Sequence, residues 1–261
     1  MSKVDQLDWD VICDVISEQP VPEWDQVGIC AAADKAVQTW AVEDVKREII
    51  GVEFADEFPY PFRIDLCTRD KDTGAYHIAD WKSKGDKRKL DDRWVLRESR
   101  SKQHKLYSAA LPLLFPDVTF PIHYEVRGIS LEERPGILTV PMVITAEQAR
   151  VAQADLRSIE AHRDLLVSLG HIPWTRDESG CRCFGEMYKC EFEATCWGGE
   201  SVLLGIPEQK SLSHSSSKEF RRCPERYRLL KVCAKSEDDD QRTAAGTAFH
   251  KVMEVIYNQL K

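Results

Sequence analysis

The stretch Phe62–Gly85, FRIDLCTRDKDTGAYHIADWKSKG, limits what this chain can become more than any other. Two apolar runs flank a DKDTG turn, the pattern of a β-hairpin. The first strand carries Asp65 and the second ends in Asp80-Trp81-Lys82. Side chains alternate along a strand, so Asp80 and Lys82 share one face and Trp81 points away from them, into a core. Asp65 and Asp80 can hold a hard cation such as Mg²⁺ or Mn²⁺, which takes oxygen ligands and shares them with a phosphate. The cation would activate water and neutralise charge on the phosphate, and Lys82 would stabilise the transition state. The pattern points to phosphodiester hydrolysis; a surface hairpin with solvated charges is its bland alternative.

The rest of the chain supplies a scaffold. At 261 residues with 43% apolar residues, it can build a substantial core. A net charge of −8 argues against a general nucleic-acid coat protein but leaves room for a local basic groove. The N-terminus MSKVDQLDWD lacks the parts of a signal peptide, and no apolar run reaches the roughly 20 residues that span a bilayer. A cytoplasmic, non-membrane protein, of a prokaryotic cell or a phage-infected host, is therefore expected. Periodicity predicts helices over residues 4–18, 30–49, 94–114, 145–168, 217–232 (interrupted by Pro224) and 243–260. Strands are predicted over 49–58, along the hairpin, and over 119–126 and 136–144. Gln103 and Tyr107 fall four apart on one helix face.

The spacing of these residues resembles the RecB-like branch of the PD-(D/E)XK nucleases. There a strand ending in Asp precedes an "ivDyKt" strand and then a helix with Q-x-x-x-Y. Here the corresponding residues are Ile64-Asp65, then Ile78-Ala79-Asp80-Trp81-Lys82, then Gln103-His104-Lys105-Leu106-Tyr107. The family also has an opening motif with Cys-Pro, followed by G-x-x-x-H. Ser213–Tyr227 (SHSSSKEFRRCPERY) is similar to the first and Gly246-Thr247-Ala248-Phe249-His250 to the second. The resemblance implies that Asp65, Asp80 and His250 bind Mg²⁺ or Mn²⁺, that Lys82 is the electrostatic catalyst, and that Gln103 and Tyr107 assist. It implies DNA as partner. Basic residues cluster around the hairpin and beside Cys223, Lys84, Arg97, Arg100, Arg221 and Arg222 among them, and can contact phosphates without reading sequence; a solvated charged loop is the bland alternative.

Nine cysteines, four of them within Cys181–Cys196, suggest metal or cluster ligation in an intracellular protein. Family members with an iron–sulfur cluster use one cysteine of the Cys-Pro motif and three near the end of the domain. By that resemblance Cys183, Cys190, Cys196 and Cys223 hold a [4Fe–4S] cluster, with Cys181 able to replace Cys183 and Zn²⁺ as the alternative occupant. Cys13, Cys30, Cys67 and Cys233 read as ordinary buried thiols.

In the family the Cys-Pro and G-x-x-x-H motifs come first, whereas here they come last. The expectation is a circularly permuted α/β domain with a restriction-endonuclease-like core: a mixed sheet flanked by helices, with a helical cluster-bearing part. It would comprise a core at 1–180, a cysteine segment at 181–197, a linker at 198–210 and permuted motifs at 211–261. A domain-swapped homodimer or larger oligomer is the main structural alternative. The expected activity is exonuclease cleavage of single-stranded or end-containing DNA, in recombination and repair, phage replication or CRISPR-related processing. A non-catalytic DNA-binding or assembly module and a zinc-stabilised structural protein are the competing readings.

Overall fold

A computed structural model describes residues 3–56, 60–169, 212, 214–232 and 238–261. They form two compact units: Met1–Asp56, Arg63–Ala149 and Glu237–Lys261 make the first, and Glu57–Phe62 with Arg150–Ser236 the second.

The first unit opens with α1 (Trp9–Ser17), whose first turn is capped by Asp8. Pro20 and Pro22 end that segment, and α2 (Glu23–Ala36) runs on through a π-helical stretch, Val37–Ala41, to Asp44. This helix starts earlier than predicted because Pro22 at its N-cap needs no N–H partner. Strand β1 (Glu48–Asp56) follows, then β2 (Phe62–Arg69) and β3 (Tyr76–Lys84). The Asp70 carboxylate fixes the turn between β2 and β3, accepting the Thr73 N–H at 2.7 Å, and Gly74 takes φ +71°.

The single helix predicted over 94–114 is instead two, α3 (Asp92–Ser99) and α4 (Gln103–Leu114). Asp91 caps the first by accepting the Trp94 N–H, and Ser101 accepts the Gln103 N–H at 3.3 Å, so the polar Arg-Ser-Lys run is used for capping. Strand β4 is Ile122–Ser130 and β5 is Ile137–Ile144. β4 begins after Pro121, which cannot donate to a ladder, and continues past the predicted end because Arg127 is paired inside the fold. Helix α5 (Ala146–Ser168) begins as predicted and passes into the second unit, which also contains α6 (His214–Arg222) and α7 (Pro224–Val232). The closing helix, α8 (Asp238–Leu260), returns the chain to the first unit.

The sheet order is β1-β2-β3-β4-β5, with β2/β3 and β4/β5 antiparallel and β3/β4 parallel. This mixed five-stranded sheet with flanking helices fits a restriction-endonuclease-like α/β fold. One face carries Leu66, Ala79, Trp81 and Ile129, which share a core with α1, α2 and α8. Gly28 lets α2 approach the end of β4 closely, since a Cβ there would lie 2.6 Å from the Leu131 carbonyl oxygen. None of the described helices is long and apolar enough to cross a membrane.

A buried polar knot crosses this core. The Arg127 guanidinium of β4 forks onto both carboxylate oxygens of Asp44 at the end of α2, and the Tyr257 hydroxyl of α8 donates to the same carboxylate. Burial opposes the Arg127 charge, but the Asp44 hydrogen bonds and nearby acids hold its pKa above normal. Replacing only Arg127 leaves a buried carboxylate uncompensated. Arg127→Met should therefore cost roughly 3–5 kcal/mol in denaturant unfolding, with Asp44→Leu/Arg127→Met distinctly milder than the single variant.

Candidate active site

Continuing the β2/β3 register by one pair beyond Leu66 and Ala79 sets Asp65 opposite Asp80. Both are almost fully buried, at 6% and 3% exposure, while Trp81 turns to the opposite face and is completely buried. Lys82 returns to the Asp80 side, its Nζ 2.8 Å from the Asp80 carboxylate. From α4, Gln103 reaches both: its amide Nε2 donates to Asp80 at 2.9 Å, and its Oε1 lies 3.4 Å from Lys82 Nζ. Tyr107, one turn further on, lines the same cavity.

The histidine comes from the far end of the sequence. Helix α8 passes so close to β3 that a Cβ on Gly246 would sit 2.8 Å from the Ser83 hydroxyl. One helical turn later His250 lies on the same helix face. Its Nδ1 is 3.7 Å from Asp65 Oδ1 and 2.8 Å from Glu53 Oε1, and its Nε2 is 3.1 Å from the Trp81 carbonyl oxygen. Both ring nitrogens thus face acceptors, which favours an imidazolium. Burial works against that charge, yet the Glu53 hydrogen bond and the Asp65 and Glu53 carboxylates raise the His250 pKa.

Glu53 was not foreseen. The segment IIGVEFADEF reads as a plain strand, and Glu53 is one acid within it. Its backbone adopts φ +46°, a left-handed conformation rare for a residue with a side chain. Glu53, Asp65 and His250 each offer a ligand atom, all within 4.8 Å of one another. Asp80 belongs to the same electrostatic cluster, but its carboxylate is engaged by Lys82 and Gln103. Oxygen donors with one imidazole suit a divalent metal.

The electrostatics say the same. Burial, then the neighbouring Asp80, raises the Asp65 pKa to about 7. Burial also raises that of Asp80, against the pull of Lys82. Lys82 itself stays charged, because Asp80 and Asp65 outweigh its desolvation. Burial, then the charge on Asp80, pushes the Tyr107 hydroxyl up to about 12. These acids are crowded beyond what Lys82 neutralises, and a bound cation would relieve them.

The cavity has a volume of about 1340 Å³. Arg63 and Lys84 line it beside the acids, and the loop Gln19–Pro22 forms part of its wall. Burial and the nearby Arg97 lower the Lys84 pKa. Arg97 is exposed on α3, where it also pairs with Glu98, and Arg100 is exposed just past the end of that helix.

Arg221 and Arg222 end α6 in the second unit, where Arg221 pairs with Asp155. There the Cys-Pro motif has a clear local role. The buried Cys223 sulfur accepts the Arg226 N–H, with Pro224 as the first residue of α7. Phe220 and Tyr227 meet edge to face at 5.5 Å. Cys181, Cys183, Cys190, Cys196 and Cys233, and the linker 198–210, lie outside the described residues. Of the expected thiols, Cys67 is buried but Cys13 is exposed, because it sits about 100° round the helix from its buried neighbour Ile12.

A family model described as the PD-(D/E)XK nuclease superfamily matches residues 211–261. That segment holds the Cys-Pro and G-x-x-x-H motifs; the strands bearing Asp65 and Asp80 lie outside the match. No curated protein and no solved structure matches significantly. The superfamily match suggests a metal-dependent nuclease, whose relatives use divalent metals such as Mg²⁺.

Asp65, Asp80 and His250 all have folded pKa values raised above their ordinary ones. Each therefore contributes stability that is present at low pH and lost as pH rises. For Asp65 the window runs from 3.8 to about 7. Chelator-treated protein should lose stability across that range, by on the order of a few kcal/mol in total. Thermal melts should show this loss, Asp65→Asn should flatten it, and added Mg²⁺ or Mn²⁺ should reverse it above pH 7.

Proposed function

We propose that this chain is a Mg²⁺- or Mn²⁺-dependent DNA nuclease, acting as an exonuclease on single-stranded or end-containing DNA. The observation that carries the reading is His250 lying within 3.7 Å of Asp65 in the same chain, beside Glu53 and the Asp80–Lys82 pair.

In this reading Asp65, Asp80 and His250 hold the cation. The bound ion supplies positive charge against the phosphate and lowers the pKa of water. Glu53 lies 2.8 Å from His250 Nδ1, the nitrogen that also faces Asp65, and holds the ring turned to that side. The proton between them must leave, or the ring must turn, before His250 can ligate, so metal affinity falls as pH falls. Lys82 stays protonated and faces the scissile phosphate as a fixed charge. Gln103 restrains both Asp80 and Lys82, and Tyr107 bounds the phosphate site. Arg63, Lys84, Arg97 and Arg100 offer sequence-independent phosphate contacts; Arg221 and Arg222 are proposed phosphate contacts of the second unit in their own right.

We read the motif order as a circular permutation within one nuclease domain. Two observations support it: the family match falls on 211–261, and α8 from that segment packs in the same compact unit as the strands bearing Asp65 and Asp80. We also propose that Cys183, Cys190, Cys196 and Cys223 hold a structural [4Fe–4S] cluster. Visible charge-transfer absorbance would favour it, and colourless zinc-containing protein would replace it with Zn²⁺. Recombination and repair, phage replication and CRISPR-related processing are the processes such an activity would serve.

Purified protein with Mg²⁺ or Mn²⁺ should degrade end-labelled DNA, and Lys82→Ala should reduce the rate by 10²-fold or more, on the order of losing one preorganised charge in a buried site. A wild type as inactive as Lys82→Ala on single- and double-stranded DNA, while still binding it, would make the chain a DNA-binding module.

A further inference from the structure

His77 of β3 and His123 of β4 bring two metal-ligating side chains together away from the acidic cavity. They are register partners on neighbouring parallel strands, and their rings stack with centroids 4.6 Å apart and planes 14° apart. Strand alternation puts both on the face of Trp81 and Arg127, opposite to Asp80 and Lys82. Thr68 of β2 and Val143 of β5 flank the pair in the register. Both imidazoles are half-buried, and among the described residues neither has a hydrogen-bond partner.

We propose that His77 and His123 together hold one divalent transition-metal ion of the Zn²⁺ class, with water completing its coordination. Imidazole nitrogen suits ions of this class, whereas Mg²⁺ takes oxygen ligands, so this pair and the acidic cavity sort different metals. Metal–nitrogen bonds of about 2.0–2.1 Å put two tetrahedral ligand nitrogens about 3.3 Å apart. Side chains directly opposed on strands about 4.8 Å apart reach that separation without a change of register. The ion must lie near the plane of each ring, so the stacked imidazoles tilt toward each other about their Cβ–Cγ bonds, a torsion that is broad for histidine. The bound ion then ties β3 to β4 three residues before Asp80, bracing the strand that carries the Asp80–Lys82 pair.

The surrounding charges suit a ligand pair. Burial first, then Arg47 and His123, lowers the His77 pKa to about 4, so near pH 7 the ring is in the neutral form that ligates and has no proton to release. Arg47 opposes a cation here, but it also pairs with Asp44 at 3.5 Å. Glu125, two residues on from His123, has one carboxylate oxygen engaged by Arg127 and acts on His77 through its charge. Asp70, at the turn between β2 and β3, adds to that negative field. This site stands on the histidine pair alone and does not depend on the nuclease reading.

The test titrates Zn²⁺ into the chelator-treated full-length chain at pH 7 and follows the histidine ring signals by nuclear magnetic resonance, with His77 and His123 assigned from His77→Asn and His123→Asn. In the wild type both rings should shift together along one saturation curve, and Mg²⁺ should move neither. In each variant the remaining ring should need at least tenfold more Zn²⁺ for the same response, because a two-ligand site has become a one-ligand site. Wild-type rings that stay unmoved by Zn²⁺ overturn the proposal, whatever the variants do. So does a His77 ring that responds with unchanged affinity in His123→Asn, which is separate binding by single histidines, or a response to Mg²⁺ equal to that to Zn²⁺.

Discussion

The docking of α8 on the sheet is the contact on which the site depends. Gly246 permits the helix to touch Ser83 of β3, and Tyr257 anchors its other end in the Asp44–Arg127 knot. Trp81 lies between, its ring 5.4 Å from that of Tyr257 and 5.9 Å from that of His250. The residue that separates Asp80 from Lys82 in sequence is thus also the floor on which the histidine's helix rests. A helix held at both ends fixes the ring between them. Catalytic geometry tolerates errors of only about 1 Å before rates fall steeply.

Around that scaffold the free energy runs against the isolated fold. Two buried carboxylates face one lysine, a histidine is held near its charged form, and Glu53 takes a strained backbone. Such arrangements persist where the surrounding structure over-determines them and where a ligand repays the strain. Here the strain, the raised acid pKa values and the convergence of donors all point to the same small volume. The arrangement reads as a site built for a cation, beside a basic wall suited to a phosphate backbone.

Asp65, Asp80, Lys82 and Gln103 were legible in sequence because strand alternation and helix spacing fix which of them share a face. The histidine was legible only through its resemblance to a family motif, since nothing local links residue 250 to residue 65. Glu53 was hidden because its role depends on a left-handed backbone and a partner 197 residues away. Arg127 hid the true length of β4, as a charge in a strand looks like its end until a buried Asp44 answers it. Cys13 was misread for a simpler reason: apolar neighbours in sequence are not neighbours round a helix. The mixed sheet flanked by helices was expected through the family resemblance, while the division into two compact units had no sequence signal that periodicity could supply.

Direct measurement of cation binding addresses the central claim without relying on any substrate. Mn²⁺ titrated into the chelator-treated protein, followed by electron paramagnetic resonance of the free ion, should reveal a bound ion. Asp65→Asn and His250→Ala should each weaken that binding at least tenfold, with Glu53→Gln weakening it less. Binding in His250→Ala and Asp65→Asn indistinguishable from wild type would contradict the account and return the cluster to a purely structural role.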